Sequence, residues 1–109
     1  MDVLVDLTAA PPRVTLAEPR DLGSFKVLAN AAQAQPTELS RALDGVGTVA
    51  EDGHAFIAVD AVRQLAGELA DDPEWNEGLE KMLAYASSKG WMDPSGTAIQ
   101  AHVEWAKPA

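Results

Sequence analysis

Residues 71–105 constrain the fold most, because they spell a capped helix, its stop, a turn and a strand in unbroken succession. Asp72-Pro73-Glu74 reads as a helix start. Asp72 can accept from free backbone N–H groups, Pro73 suits the first helical position, and Glu74 complements the positive end of the helix dipole. Trp75, Leu79, Met82, Leu83 and Ala86 then recur at helical spacing, in a stripe about 100° wide. Gly90 stands where a left-handed residue ends a helix, and Trp91 can fold back on Tyr85 or Ala86 as the apolar half of a Schellman stop. Asp93-Pro94-Ser95-Gly96 carries the residues a type I turn prefers. Beyond it Ile99, Ala101, Val103 and Trp105 alternate with Gln100, His102 and Glu104, which predicts a strand with one dry and one wet face.

Shorter elements precede this unit. Val3, Val5 and Leu7, then Val14 and Leu16, alternate weakly around Pro11-Pro12, so residues 1–20 read as a loosely attached arm or as edge strands. A strand is expected at 24–29, although the Ala-rich composition of 20–34 favours helix. Pro36-Thr37-Glu38 begins a short helix that Gly45 and Gly47 end. Asp52-Gly53, between two β-rich runs, is a hairpin signal. Asp60 is expected to cap a helix bearing Val62, Leu65, Ala66 and Leu69. Gly67 inside that helix costs about 1 kcal/mol relative to Ala, so it either allows close approach of another backbone or is unselected. The expected architecture is one α+β domain over 1–109, an antiparallel sheet covered on one face by two or three helices.

Eight Lys+Arg against 17 Asp+Glu leave a net charge of −9. That field repels phosphate backbones and anionic lipid, and the basic residues form no patch, so no nucleic-acid and no membrane partner is expected. The chain has no cysteine, which excludes disulfides and thiolate chemistry. No apolar run approaches the ~20 residues needed to span a bilayer, and an acid at position 2 does not fit a signal peptide. A cytoplasmic location is expected. The acids gather in 68–80, a window without Lys or Arg, either as a solvated face or as a docking patch for a basic partner.

Signals for chemistry are sparse. His102 and Glu104 project from the wet face of one strand at ~6–7 Å spacing, a weak candidate for general-base work or metal ligation. A metal site from His54, His102 and one carboxylate requires the two hairpins to meet. Two histidines and no cysteine are a poor ligand supply, so no metal and no cofactor is expected. No nucleophile elbow is present, and Gly45-Val46-Gly47 lacks the lysine of a phosphate loop.

The segment Tyr85-Ala86-Ser87-Ser88-Lys89-Gly90-Trp91-Met92-Asp93, continuing to Ala101-His102-Val103-Glu104-Trp105, resembles the tail of small uncharacterised acidic proteins of high-GC bacteria. The resemblance covers roughly the last 60 residues. It implies a compact bacterial α+β unit and favours the strand at 24–29, and it carries no activity with it.

The leading functional expectation is a non-enzymatic accessory or interaction protein. It would present an acidic, aromatic-edged surface built from Glu74, Glu77, Glu80, Tyr85, Trp91 and Trp105 to another protein. A second expectation is a small ligand-binding protein or enzyme using His102 and Glu104 in a sheet-floored pocket. A third is a winged-helix-like protein-binding module. An N-terminal edge strand also offers a route to a homodimer.

Overall fold

The computed structural model describes residues 1–9, 12–31, 36–50 and 54–106, and the Asp52-Gly53 turn lies outside them. The described residues form six strands: β1 (Asp2–Asp6), β2 (Arg13–Ala17), β3 (Lys26–Asn30), β4 (Gly47–Val49), β5 (Ala55–Ala58) and β6 (Ala98–Ala106). Three helices accompany them, α1 (Pro36–Ala42), α2 (Val59–Ala66) and α3 (Pro73–Ser88). The architecture is α+β, with one six-stranded sheet in the order β2-β1-β3-β6-β5-β4.

The sheet is mixed, which corrects the expectation of an antiparallel one. β1 runs parallel to β3, and β3 parallel to β6, while the remaining pairs are antiparallel. Alternation of apolar and polar side chains has a period of two in either kind of ladder, so it carries no information on direction. β1 lies inside the sheet between β2 and β3, with Val3 and Val5 fully buried. The edges are β2 and β4.

Register explains where the core sits. Val3, Val27 and Val103 fall on one line across three strands, and Val5, Ala29 and Trp105 on the next. Ile57 faces Ile99, and Ala55 faces Ala101. These residues join Leu39, Leu43, Val62, Trp75, Leu79 and Ala86 in one apolar cluster, with Trp105 half-buried at its margin. The alternate residues of the same strands, including Lys26, Leu28, Gln100, His102 and Glu104, are half-buried or exposed.

α3 follows its sequence signals closely. Asp72 accepts from the Glu74 N–H at 3.0 Å, with Pro73 next in line. At the other end Gly90 has φ +76°, its N–H donates to Ser87 O, and the Trp91 N–H donates to Ala86 O. Those two bonds are the Schellman pair, and they satisfy carbonyls that the helix end leaves open. Trp75, Leu79 and Ala86 are buried, whereas Met82 and Leu83 are only half-buried.

α2 departs from its expected form in two ways. Its N-cap is Ala58, and no side chain caps it. Asp60 lies inside the first turn, with Arg63 3.8 Å away. Gly67 ends the helix at φ +62° and opens a 3-10 turn, Gly67–Asp71, which takes in Leu69. A Cβ added at Gly67 would meet nothing within 4 Å, so the residue serves backbone conformation, not close approach.

Leu79→Ala should cost about 2–5 kcal/mol in denaturant titration, and Leu83→Ala clearly less, because only Leu79 is fully enclosed. Equal losses would show that the helix is rotated from this orientation. The turn before β6 adds a pH signature. Asp93 accepts from Ser95 Oγ at 2.8 Å, Ala98 N at 3.0 Å and Thr97 N at 2.9 Å. These bonds, the Ser95 hydroxyl first, hold its carboxyl below the usual carboxylate range. A carboxyl depressed in the folded state stabilises at neutral pH, and that contribution is lost as pH falls through its folded pKa. Asp93→Asn should therefore lower Tm at pH 7, and the gap to wild type should close below about pH 3.9. A gap that persists in acid would remove the carboxylate from the turn's stability.

Candidate functional site

A mismatch in strand length creates the site. β3 first meets β6 at the pair Lys26 and His102, so residues 98–101 of β6 have no β3 neighbour. The chain leaving α3 takes that edge instead. Met92 bridges Ile99, the Gln100 N–H donates to Trp91 O at 2.6 Å, and the Asp93 N–H donates to Ala98 O at 2.9 Å. The row beside β6 is therefore interrupted between Phe25, just before β3, and Trp91. A cleft occupies the gap.

One wall of the cleft is the loop between β2 and β3. Trp75 Nε1 donates to Pro19 O at 2.8 Å, and the Met1 ammonium donates to Asp21 O at 2.7 Å and Ser24 O at 3.0 Å. Asp21 Oδ1 also accepts from the Gly23 N–H at 3.2 Å. The facing wall is α3, with Gly78, Met82 and Tyr85, and the buried Ala86 and Ile99 also line the space. This chamber encloses about 490 Å³. Gly78 makes room for Leu22, since a Cβ there would sit 2.4 Å from Leu22 Cδ1.

A second chamber of about 280 Å³ shares Phe25, Trp91 and Gln100 with the first and adds His54 and His102. Because Ala55 pairs antiparallel with Ala101, one residue further brings His54 opposite His102. Their rings lie 5.9 Å apart at 63°. Lys26 flanks His102 on the other side and donates to Glu104 Oε2 at 3.1 Å. That hydrogen bond, followed by the Glu104 charge, raises the lysine's pKa. Both partners are well exposed, so the ion pair contributes little stability.

The candidate residues fall into separate places. His102 is exposed beside the smaller chamber, while Glu104 is engaged by Lys26. Tyr85 and Trp91 stack edge to face at 5.7 Å and are 57% and 43% exposed, with Lys89 Nζ 5.5 Å from the Tyr85 ring centre. Trp105 stands six residues beyond Ile99, about 20 Å along β6, and is half-buried away from that pair. Glu74, Glu77 and Glu80 are exposed on α3, and Glu77 lies 3.4 Å from Lys81. Among the described residues no group of three or more His, Asp or Glu could hold a metal ion. None of their helices is long and apolar enough to cross a membrane.

Leu22, Phe25, Gly78 and Gln100 line the cleft without having stood out as site residues. Only Gly78 carried a signal, a glycine inside a strong helix at a cost near 1 kcal/mol. Compared with known proteins, the chain matches no family model, no curated protein and no solved structure.

Gly78→Ala should leave Tm within about 5 °C of wild type, because better helix propensity offsets displacement of a flexible leucine end. The Leu22 methyl resonances should shift. Unmoved Leu22 methyls would show that this leucine does not pack over the helix.

Proposed function

We propose that the chain is a small-molecule-binding module whose ligand occupies the cleft between α3, the β2–β3 loop and Trp91. One observation carries the reading: two chambers share an aromatic lip and together run from an apolar floor to a pair of histidines. A larger chamber near 490 Å³ falls in the usual size range of ligand pockets, ~300–1,000 Å³. Its lining also has the usual character, apolar and aromatic side chains with a few convergent polar groups. Binding is favoured over catalysis because Glu104, the carboxylate two residues from His102, is held by Lys26 and is not poised to orient the imidazole. In this reading the helices cover one face of the sheet, and the face bearing His102 stays open to solvent. A cytoplasmic, bacterial setting belongs to the same proposal, its bacterial part on the tail resemblance.

A second reading treats the Tyr85–Trp91 pair, with Glu77 and Glu80 on the same helix, as a protein-docking surface. The exposure of two stacked aromatics favours it. Pairing of two copies along the edge strand β2 is a further route to assembly.

Titration with the neutral naphthalene dye prodan, followed by tryptophan quenching and dye emission, separates these readings. The proposal expects saturable 1:1 binding that Leu22→Gln weakens about tenfold or more. Absence of saturable binding, or binding indifferent to Leu22→Gln, would count against the cleft and leave the docking surface as the better account.

A further inference from the structure

Three described lysines of this strongly acidic protein lie on the cleft or next to residues that line it. Lys81 lines the larger chamber, Lys89 lies over the Tyr85 ring, and Lys26 is the register neighbour of His102. Gln100 lines both chambers, and the smaller one adds the His102 imidazole, with the His54 ring packed edge-on against it. Donors thus flank an apolar cavity in two places, Lys81 at the larger chamber and Gln100, His102 and the neighbouring Lys26 at the smaller one, in a molecule whose overall field repels anions. From this arrangement we infer that the ligand is an amphipathic carboxylic acid, an aromatic or short aliphatic body with one carboxylate. The body fills the larger chamber against Phe25, Met82 and Trp91, and the carboxylate lies at the Gln100–His102 end.

The nearby carboxylates do not block this placement. Glu104 is bound by Lys26, whose ammonium has three donors and gives one to it. Glu77 is paired with Lys81, and Asp21 accepts from the loop's own Gly23 N–H and Ser24 hydroxyl. Asp2 acts on Lys26 only through its charge, as a minor influence. An ammonium or guanidinium head would meet Lys26 directly and gain no free carboxylate. A neutral head would offer no charge to the Gln100 amide or to the ammonium donors that Lys26 does not spend on Glu104.

The inference rests on the small-molecule reading above, and its test separates the two. 4-Phenylbutyrate and 4-phenylbutan-1-ol, matched in body and different in head, compete with bound prodan at pH 7 and low salt. The acid should compete at least tenfold better than the alcohol. His102→Ala and Lys26→Gln should each reduce that advantage several-fold while leaving the alcohol unchanged. An alcohol equal to the acid would overturn the inference and leave the binding module standing, whereas failure of prodan and both competitors would overturn both. An acid advantage retained in both variants would also overturn it. So would equimolar Zn²⁺ binding abolished by His102→Ala, which would make the histidine chamber a metal site.

Discussion

The structure depends on β6 lying between two partners of opposite direction. Its one edge hydrogen-bonds to β3 in parallel and its other to β5 in antiparallel sense. β3 takes residues 102–106 of one edge and β5 residues 98–101 of the other, so the two halves of one long, apolar-alternating strand find different partners. It also joins the N-terminal strands β2, β1 and β3 to the β5–β4 hairpin in a single core. Without β6 those two parts would share no ladder.

The same strand generates the cleft. β6 has nine residues and β3 only five, so part of one β6 edge must be satisfied by something else. The chain after α3 supplies it, and the Schellman stop aims that chain by turning at Gly90 and bonding Trp91 back to Ala86. Trp91 is thereby placed beside β6 and against Tyr85 at once. On the far wall, Trp75 is buried in the core while its indole N–H holds the loop that carries Leu22 and Phe25. Each of these bonds is worth only about 1 kcal/mol, but none needs a mobile segment to complete the cavity.

Local signals proved readable and pairing did not. Asp72 caps α3, Gly90 ends it, Asp93 opens the turn, and Ile99, Ala101 and Val103 point inward, all because the relevant chemistry lies within a few residues. Asp60 misled because a helix capped two residues earlier, at Ala58, puts it inside the first turn. Gly67 misled because a helix end and a close contact both select glycine. The direction of β3 relative to β6 left no trace in alternation, and neither did the β5–β6 register that brings His54 opposite His102. The cleft combines residues from a loop, α3 and β6 with His54 beside β5, so no single stretch announces it.

The claim on which all of this stands is the two-sided pairing of β6. Methyl and aromatic NOE spectroscopy of labelled protein tests it most directly. The account predicts cross-peaks between Val27 and Val103, between Ile57 and Ile99, and between the rings of His54 and His102, in one species. Spectra with the Ile57–Ile99 contact but no Val27–Val103 contact would contradict it, because β6 would then pair with β5 alone and the cleft would lose its edge.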